Sequence, residues 1–165
     1  MNIVEHKYKT NNTLSKRKKT EEIVIHCTAT KEGVDFDVDK IDRSHKARNF
    51  SCIGYHYVIY RDGSIHRGRP EDTVGAHTTG RNSVSISICY VGGLDKNGKN
   101  KDTRTTEQET SMILLVKYLL NKYKDIKLVS GHYNWARKGC PCFDVGEWLD
   151  IINLSKYKND KIKYL

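Results

Sequence analysis

The chain has 165 residues, a formal net charge of +9, 37% hydrophobic residues and 30% charged residues. That length suits a single domain, the apolar content excludes a fully disordered chain, and no apolar run approaches the ~20 residues a membrane helix needs. The charge is concentrated at the ends: residues 1–20 carry +5 and residues 154–165 carry +3, leaving the body at 21–153 almost neutral.

Residues 1–20 are polar and aperiodic and read as a basic tail. They contain no charged-then-apolar signal segment, so synthesis in the cytoplasm is expected. Ile23-Val24-Ile25 is a short apolar run of the kind that forms a buried strand, and it ends on His26. A helix is predicted over 37–49, capped by Asp37, with Val38, Ile41, His45 and Arg48 roughly on one face. Residues 54–60 are rich in β-formers and precede Asp62-Gly63, a strong hairpin signal leading into Ser64-Ile65-His66. His66 is expected to be exposed after that turn. Residues 84–91 alternate and read as another strand, closed by Gly92-Gly93.

The longest helix is predicted over 106–123, with Thr106 and Glu109 as its capping box. Met112, Leu115, Val116, Leu119, Leu120 and Tyr123 share one face. Residues 126–130 form a short strand that delivers Gly131-His132. A last helix begins at Asp144, with Glu147 three positions on and Phe143 stapled to Trp148. The second basic tail follows at 154–165. Strands alternating with helices, plus one hairpin, give an α/β fold: a mixed central sheet with helices packed on both faces, in one domain.

Five cysteines, an odd number without a signal segment, argue against a disulfide framework. Cys27, Cys52 and Cys89 read as small packing thiols, and Cys27 points to the face opposite His26 if the strand is regular. Among seven histidines, His26 and His132 sit at strand ends, and Cys140 follows His132 by eight residues. Zinc accepts imidazole nitrogen and thiolate sulfur in a tetrahedron, and a catalytic site keeps one corner for water. His26, His132 and Cys140 suit that donor set, although their spacing is not a compact metal motif. Cys142 competes with Cys140, since two thiols flanking one proline do not suit one ion. Trp135 lies in the same loop and either packs there or lines a groove, and His56 reads as structural.

Four ordered segments, IVIHCTAT, IGYHYVIYRDGSIHRGR, VGAHTTGRNSVSISICYVGG and SGHYNWARKGCPCFD, resemble the zinc-dependent N-acetylmuramoyl-L-alanine amidases of type 2 over roughly residues 22–150. These include small phage lysozymes of the amidase class and, more distantly, peptidoglycan recognition proteins. The resemblance implies one zinc per chain held by His26, His132 and Cys140, with Tyr55 and Lys138 as catalytic groups. It implies a substrate groove at His45, His77 and Asn82. Ser44 stands where a tryptophan often precedes that first groove histidine. The implied activity is hydrolysis of the amide between N-acetylmuramic acid and L-alanine of the stem peptide. The enzyme would act on the bacterial wall on release during lysis, as a monomer, with the basic tails against anionic wall polymers. The alternatives are a non-catalytic peptidoglycan-binding module on the same fold, or a cytoplasmic regulator that binds a protein or nucleic acid.

Overall fold

A computed structural model describes residues 1–161. Six strands form one sheet: β1 (Ile3–Val4), β2 (Glu22–Cys27), β4 (Tyr57–Ile59), β5 (Ile65–Arg67), β6 (Ser85–Tyr90) and β8 (Leu128–Gly131), in the order β1-β5-β4-β6-β2-β8. Only the β4–β5 pair is antiparallel, and it is the hairpin signalled by Asp62-Gly63, with Gly63 at φ +85°. The other pairings are parallel, β2 lying between β6 and β8. Every residue of β2, β4 and β6 is buried, as parallel strands covered on both faces require. A small second sheet joins β3 (Thr30–Lys31) to β7 (Gly93–Leu94).

Helices cover both faces. On one side lie α2 (Thr106–Lys122) and α3 (Val145–Ile151), whose Met112, Leu115, Val116, Leu119, Trp148 and Leu149 pack on Ile23, Ile25, Ile86 and Ile88. Burying each such side chain stabilises the fold by about 1.5–3 kcal/mol. On the other side α1 (Val38–Ala47) sets Val38 and Ile41 against Ile53, Val58 and Val91. This is the expected mixed sheet with helices on both faces. No helix among the described residues is long and apolar enough to cross a membrane.

The caps match the sequence at two helices and shift at the third. Asp37 accepts a hydrogen bond from the Lys40 amide and Asp144 accepts one from the Glu147 amide. Phe143 and Trp148 meet with ring centroids 5.9 Å apart. The capping box of α2, however, is Thr105 with Gln108 rather than Thr106 with Glu109. Gln108 is fully buried, and its amide also donates to the carbonyls of Ile59 and Val91, bolting the helix start to the sheet. Glu109 accepts instead from the Trp148 indole.

Residues 1–20 carry the expected basic charge but are not detached from the domain. β1 pairs with β5, the Tyr8 hydroxyl donates to the Arg67 carbonyl, and the Arg17 guanidinium donates to the Thr73 carbonyl and the Thr20 hydroxyl. Lys7, Lys9, Lys16, Lys18 and Lys19 stay exposed. At the other end, Ser155–Tyr157 forms a 3-10 turn and Lys158 pairs with Asp150 at 2.7 Å. Residues 162–165 of the expected C-terminal tail lie outside the described residues.

Candidate metal centre and catalytic groove

The parallel strands β2, β6 and β8 end together, and the candidate site lies beyond those ends on the α1 side. β2 sets down His26, 1% exposed, and β8 runs straight into His132. The loop from His132 to Cys142 then folds back over β2. It is fastened at several points: the Tyr133 amide donates to the Cys140 carbonyl, the Cys142 amide to the Gly139 carbonyl, and the Tyr90 hydroxyl to the Pro141 carbonyl. Asn134 accepts from the Gly131 amide at the loop's start.

These constraints gather His26, His132 and Cys140, one ligand atom of each lying within 4.8 Å of the others. His26 Nδ1 is 3.7 Å from Cys140 Sγ, and the rings of His26 and His132 are 4.6 Å apart. A tetrahedral zinc with ordinary Zn–N and Zn–S bonds separates such a nitrogen and sulfur by about 3.6 Å, so the donor set fits that ion. Burial, with the charge of Lys138 and neighbouring imidazoles, holds His26 well below the usual histidine range. Burial and Lys138 bring His132 down to about 4. Both are therefore neutral at pH 7, the form a metal accepts. The Cys27 amide donates to Cys140 Sγ at 3.3 Å and fixes the position of the sulfur.

The far nitrogen of His26 is also fixed. Its Nε2 lies 3.0 Å from His77 Nδ1 and 3.2 Å from the Thr78 hydroxyl. With Nε2 protonated, His26 donates to this pair and presents a bare Nδ1 toward Cys140 and His132. Asn82 holds the pair in turn, its carbonyl oxygen accepting from the amides of His77 and Thr78. His77 and Asn82 line the groove, but His77 Nδ1 is turned to His26, its Nε2 to the Ser85 hydroxyl, and Asn82 Oδ1 to the amides that hold this pair in place. That role escaped the sequence, where GAHTTGRN signalled only a groove position.

A cleft of about 410 Å³ lies over the cluster, bordered by His45, Tyr55, His77, His132, Trp135 and Lys138. A second cleft of about 280 Å³ adjoins it and reaches Cys140. Tyr55 stands between two imidazoles, its ring 5.1 Å from that of His26 and 5.2 Å from that of His45. Burial raises its phenol well above the usual tyrosine range, so it remains a hydrogen-bond donor. His45 accepts from the Gly54 amide through Nδ1 and is 7% exposed. Lys138 and Arg48 are exposed at the rim of both clefts.

Trp135 both packs and lines the groove. Its indole donates to the fully buried Glu22, which also pairs with Arg81 at 2.6 Å, while the Arg81 guanidinium lies 4.5 Å from the indole centroid. His56 is structural: fully buried, it bonds Ser87 through Nδ1 and the Thr73 carbonyl through Nε2. The expected exposure of His66 is wrong. It is 9% exposed, stacked on Tyr60 at 3.5 Å and bonded to His6, because β1 covers the hairpin edge.

A fold of this kind with two imidazoles and a thiol at the strand ends defines a class. Residues 16–143 match the N-acetylmuramoyl-L-alanine amidase family, and the chain belongs to it. Its relatives include the endolysin of Escherichia phage T7, 40% identical over 132 residues that make up 80% of this chain and 87% of that protein. The endolysin of Enterobacteria phage K11 is 37% identical, across 82% and 89% of the two chains. Among solved structures, the amidase LysCS from Clostridium intestinale superposes with a TM-score of 0.81 at 35% identity, covering 93% of this chain and 96% of that one. A Drosophila peptidoglycan recognition protein, PGRP-SD, shares the fold at a TM-score of 0.75 and 20% identity, covering 97% of this chain and 98% of its own.

Proposed function

We propose that this chain is a peptidoglycan hydrolase that cleaves the amide between N-acetylmuramic acid and L-alanine, with one zinc per chain held by His26, His132 and Cys140. The observation that carries the reading is the convergence of those three donors on one point at the floor of an open groove. Zinc bound there supplies a Lewis acid and lowers the pKa of water toward neutrality.

The chain's own residues do the rest. His77 and Thr78 hold the His26 ring in the tautomer that leaves Nδ1 free. Lys138, an ammonium at the groove rim, faces the charge that grows on the carbonyl oxygen as the amide is attacked. Tyr55, kept protonated by burial, offers no phenolate to act as a base at neutral pH and would serve as a hydrogen-bond donor toward the reacting centre. Trp135 and His45 both line the groove in which the glycan–peptide junction would be held. Release from the host cell at lysis would deliver the enzyme to its substrate, as with a phage endolysin.

Mass analysis of wall digests tests this. Intact glycan with free stem peptides beginning at L-alanine is the expected product. Shortened glycan carrying intact peptides, or cuts within the stem, would refute it. Cys140→Ser is expected to remove both zinc and activity, whereas Cys142→Ser retains both in reducing buffer. The reverse pattern would overturn the ligand assignment.

A further inference from the structure

We propose that Cys27 and Cys142 form a disulfide cross-link site, separate from the metal centre, that ties the end of β2 to the loop carrying Cys140. Strand alternation sends His26 and Cys27 to opposite faces of β2. The Cys-Pro-Cys segment straddles the strand end: Cys140 Sγ lies 3.7 Å from His26 Nδ1 and also touches the Cys27 backbone, while Cys142 Sγ meets the Cys27 sulfur. The two sulfurs of the second pair lie 3.8 Å apart. A disulfide requires about 2 Å, a closure within reach of small side-chain rotations.

The surroundings are shaped to the pair. Gly93, at φ +106°, lies against Cys27: a Cβ there would stand 2.5 Å from Cys27 Sγ, and at 3.5 Å would only touch Cys142 Sγ. Glycine at this position leaves the Cys27 thiol in place. Cys142 is partly exposed and meets an oxidant first, while Cys27 is 3% exposed behind it. Cys52 and Cys89 turn their sulfurs to the carbonyls of Ile53 and Tyr90 and stay outside the pair. An enzyme that leaves a reducing interior for an oxidising exterior gains a constraint where it is of use.

The oxidant is a low-molecular-weight disulfide such as glutathione disulfide. Cys142 loses its proton and attacks one glutathione sulfur, expelling a glutathione thiolate and leaving a mixed disulfide. Cys27 then loses its proton and attacks the Cys142 sulfur, expelling the second glutathione. Two protein thiols are oxidised to one disulfide, and one glutathione disulfide is reduced to two thiols. The cross-link rests on the sulfur positions and not on the reaction assigned above.

The test incubates zinc-loaded protein with glutathione disulfide at mildly alkaline pH until its thiol content stops falling. The protein is then alkylated, digested and sequenced by tandem mass spectrometry without reduction. A peptide containing Cys27 is expected to be linked to the one containing Cys142, with the alkyl group on Cys140 and the bound zinc unchanged. The urea midpoint is expected to rise on oxidation and return on reduction, and Cys142→Ser should abolish both effects. Failure of the link to form, a link through Cys140, loss of zinc on oxidation, or a link that survives Cys142→Ser would each overturn the proposal. None of these readouts depends on amidase activity.

Discussion

His77→Ala separates two roles for a histidine that lines the groove. In the structure its Nδ1 is 3.0 Å from His26 Nε2, so the substitution removes one acceptor that orients a metal ligand. Losing such a partner costs about 10- to 100-fold in metal affinity, or roughly 1.4–2.7 kcal/mol. The Thr78 hydroxyl remains 3.2 Å from the same nitrogen, which places the single variant near the tenfold end. Removing it as well, in His77→Ala/Thr78→Val, is expected to move the loss toward a hundredfold, more than the two single effects combined, because each partner covers for the other. His77→Gln, which offers an amide oxygen in the same region, should recover part of the loss. A chelator competition titration reads zinc affinity directly, and steady-state kinetics on a soluble muropeptide read the rest. Zinc affinity within about twofold of wild type together with a raised KM would refute the orienting role and return His77 to direct substrate contact.

Lys138→Ala should leave zinc content unchanged and lower kcat about ten- to a hundredfold, the effect of losing one charge-stabilising group, as measured by turnover of soluble muropeptide. Gln108→Ala should destabilise the fold by about 1–3 kcal/mol in urea titration, since it removes the Gln108 half of the capping box and one donor to the buried Val91 carbonyl, while the Ile59 carbonyl keeps the Val91 amide. Acid should destabilise the protein through His56, which burial lowers to about 3 while the unfolded chain takes up its proton near 6.5. Stability contributed above pH 6.5 is thus lost progressively as pH falls through that window, by roughly 3 kcal/mol for this residue between pH 7 and pH 4, and urea midpoints at those two pH values measure it. His45 and His132, both lowered to about 4, add to the same slope. Replacing Lys7, Lys9, Lys18 and Lys19 by glutamine should weaken adhesion to whole walls at low salt and spare hydrolysis of soluble muropeptide. Truncation of residues 1–20 would not test that contact, since it also removes β1 and the Arg17 bonds.

What the sequence revealed was whatever announces itself by apolar periodicity or by turn chemistry. The strand ending at His26, the Asp62-Gly63 hairpin, the buried face of α2 and the Asp144 cap all belong to that kind, and with them come the two histidines of the candidate metal centre, which sit at strand ends, while Cys140 lies on the loop beyond β8. The elements that escaped are polar groups buried against partners remote in the chain. Glu22 is fully buried only because Arg81 and Trp135 meet it, and Glu71 is partly buried where the hydroxyls of Tyr57 and Tyr123, with Arg67 and Lys122, converge on it. The N-terminal segment reads as a tail since its lysines outnumber the few inward residues, Ile3, Tyr8 and Arg17, that fix it.

The same distinction explains the groove. His77, Asn82 and His45 line the cleft beside the cluster, and their hydrogen bonds run to His26, to backbone amides and to Gly54. A motif reports that a residue lies near a site; only the direction of its polar atoms reports what it does there. For Cys140 and Cys142 that direction is set by which side of β2 each faces. Two thiols flanking one proline that look ambiguous in the sequence thus differ in what they reach: Cys140 meets the His26 imidazole and the Cys27 backbone, and Cys142 meets the Cys27 sulfur.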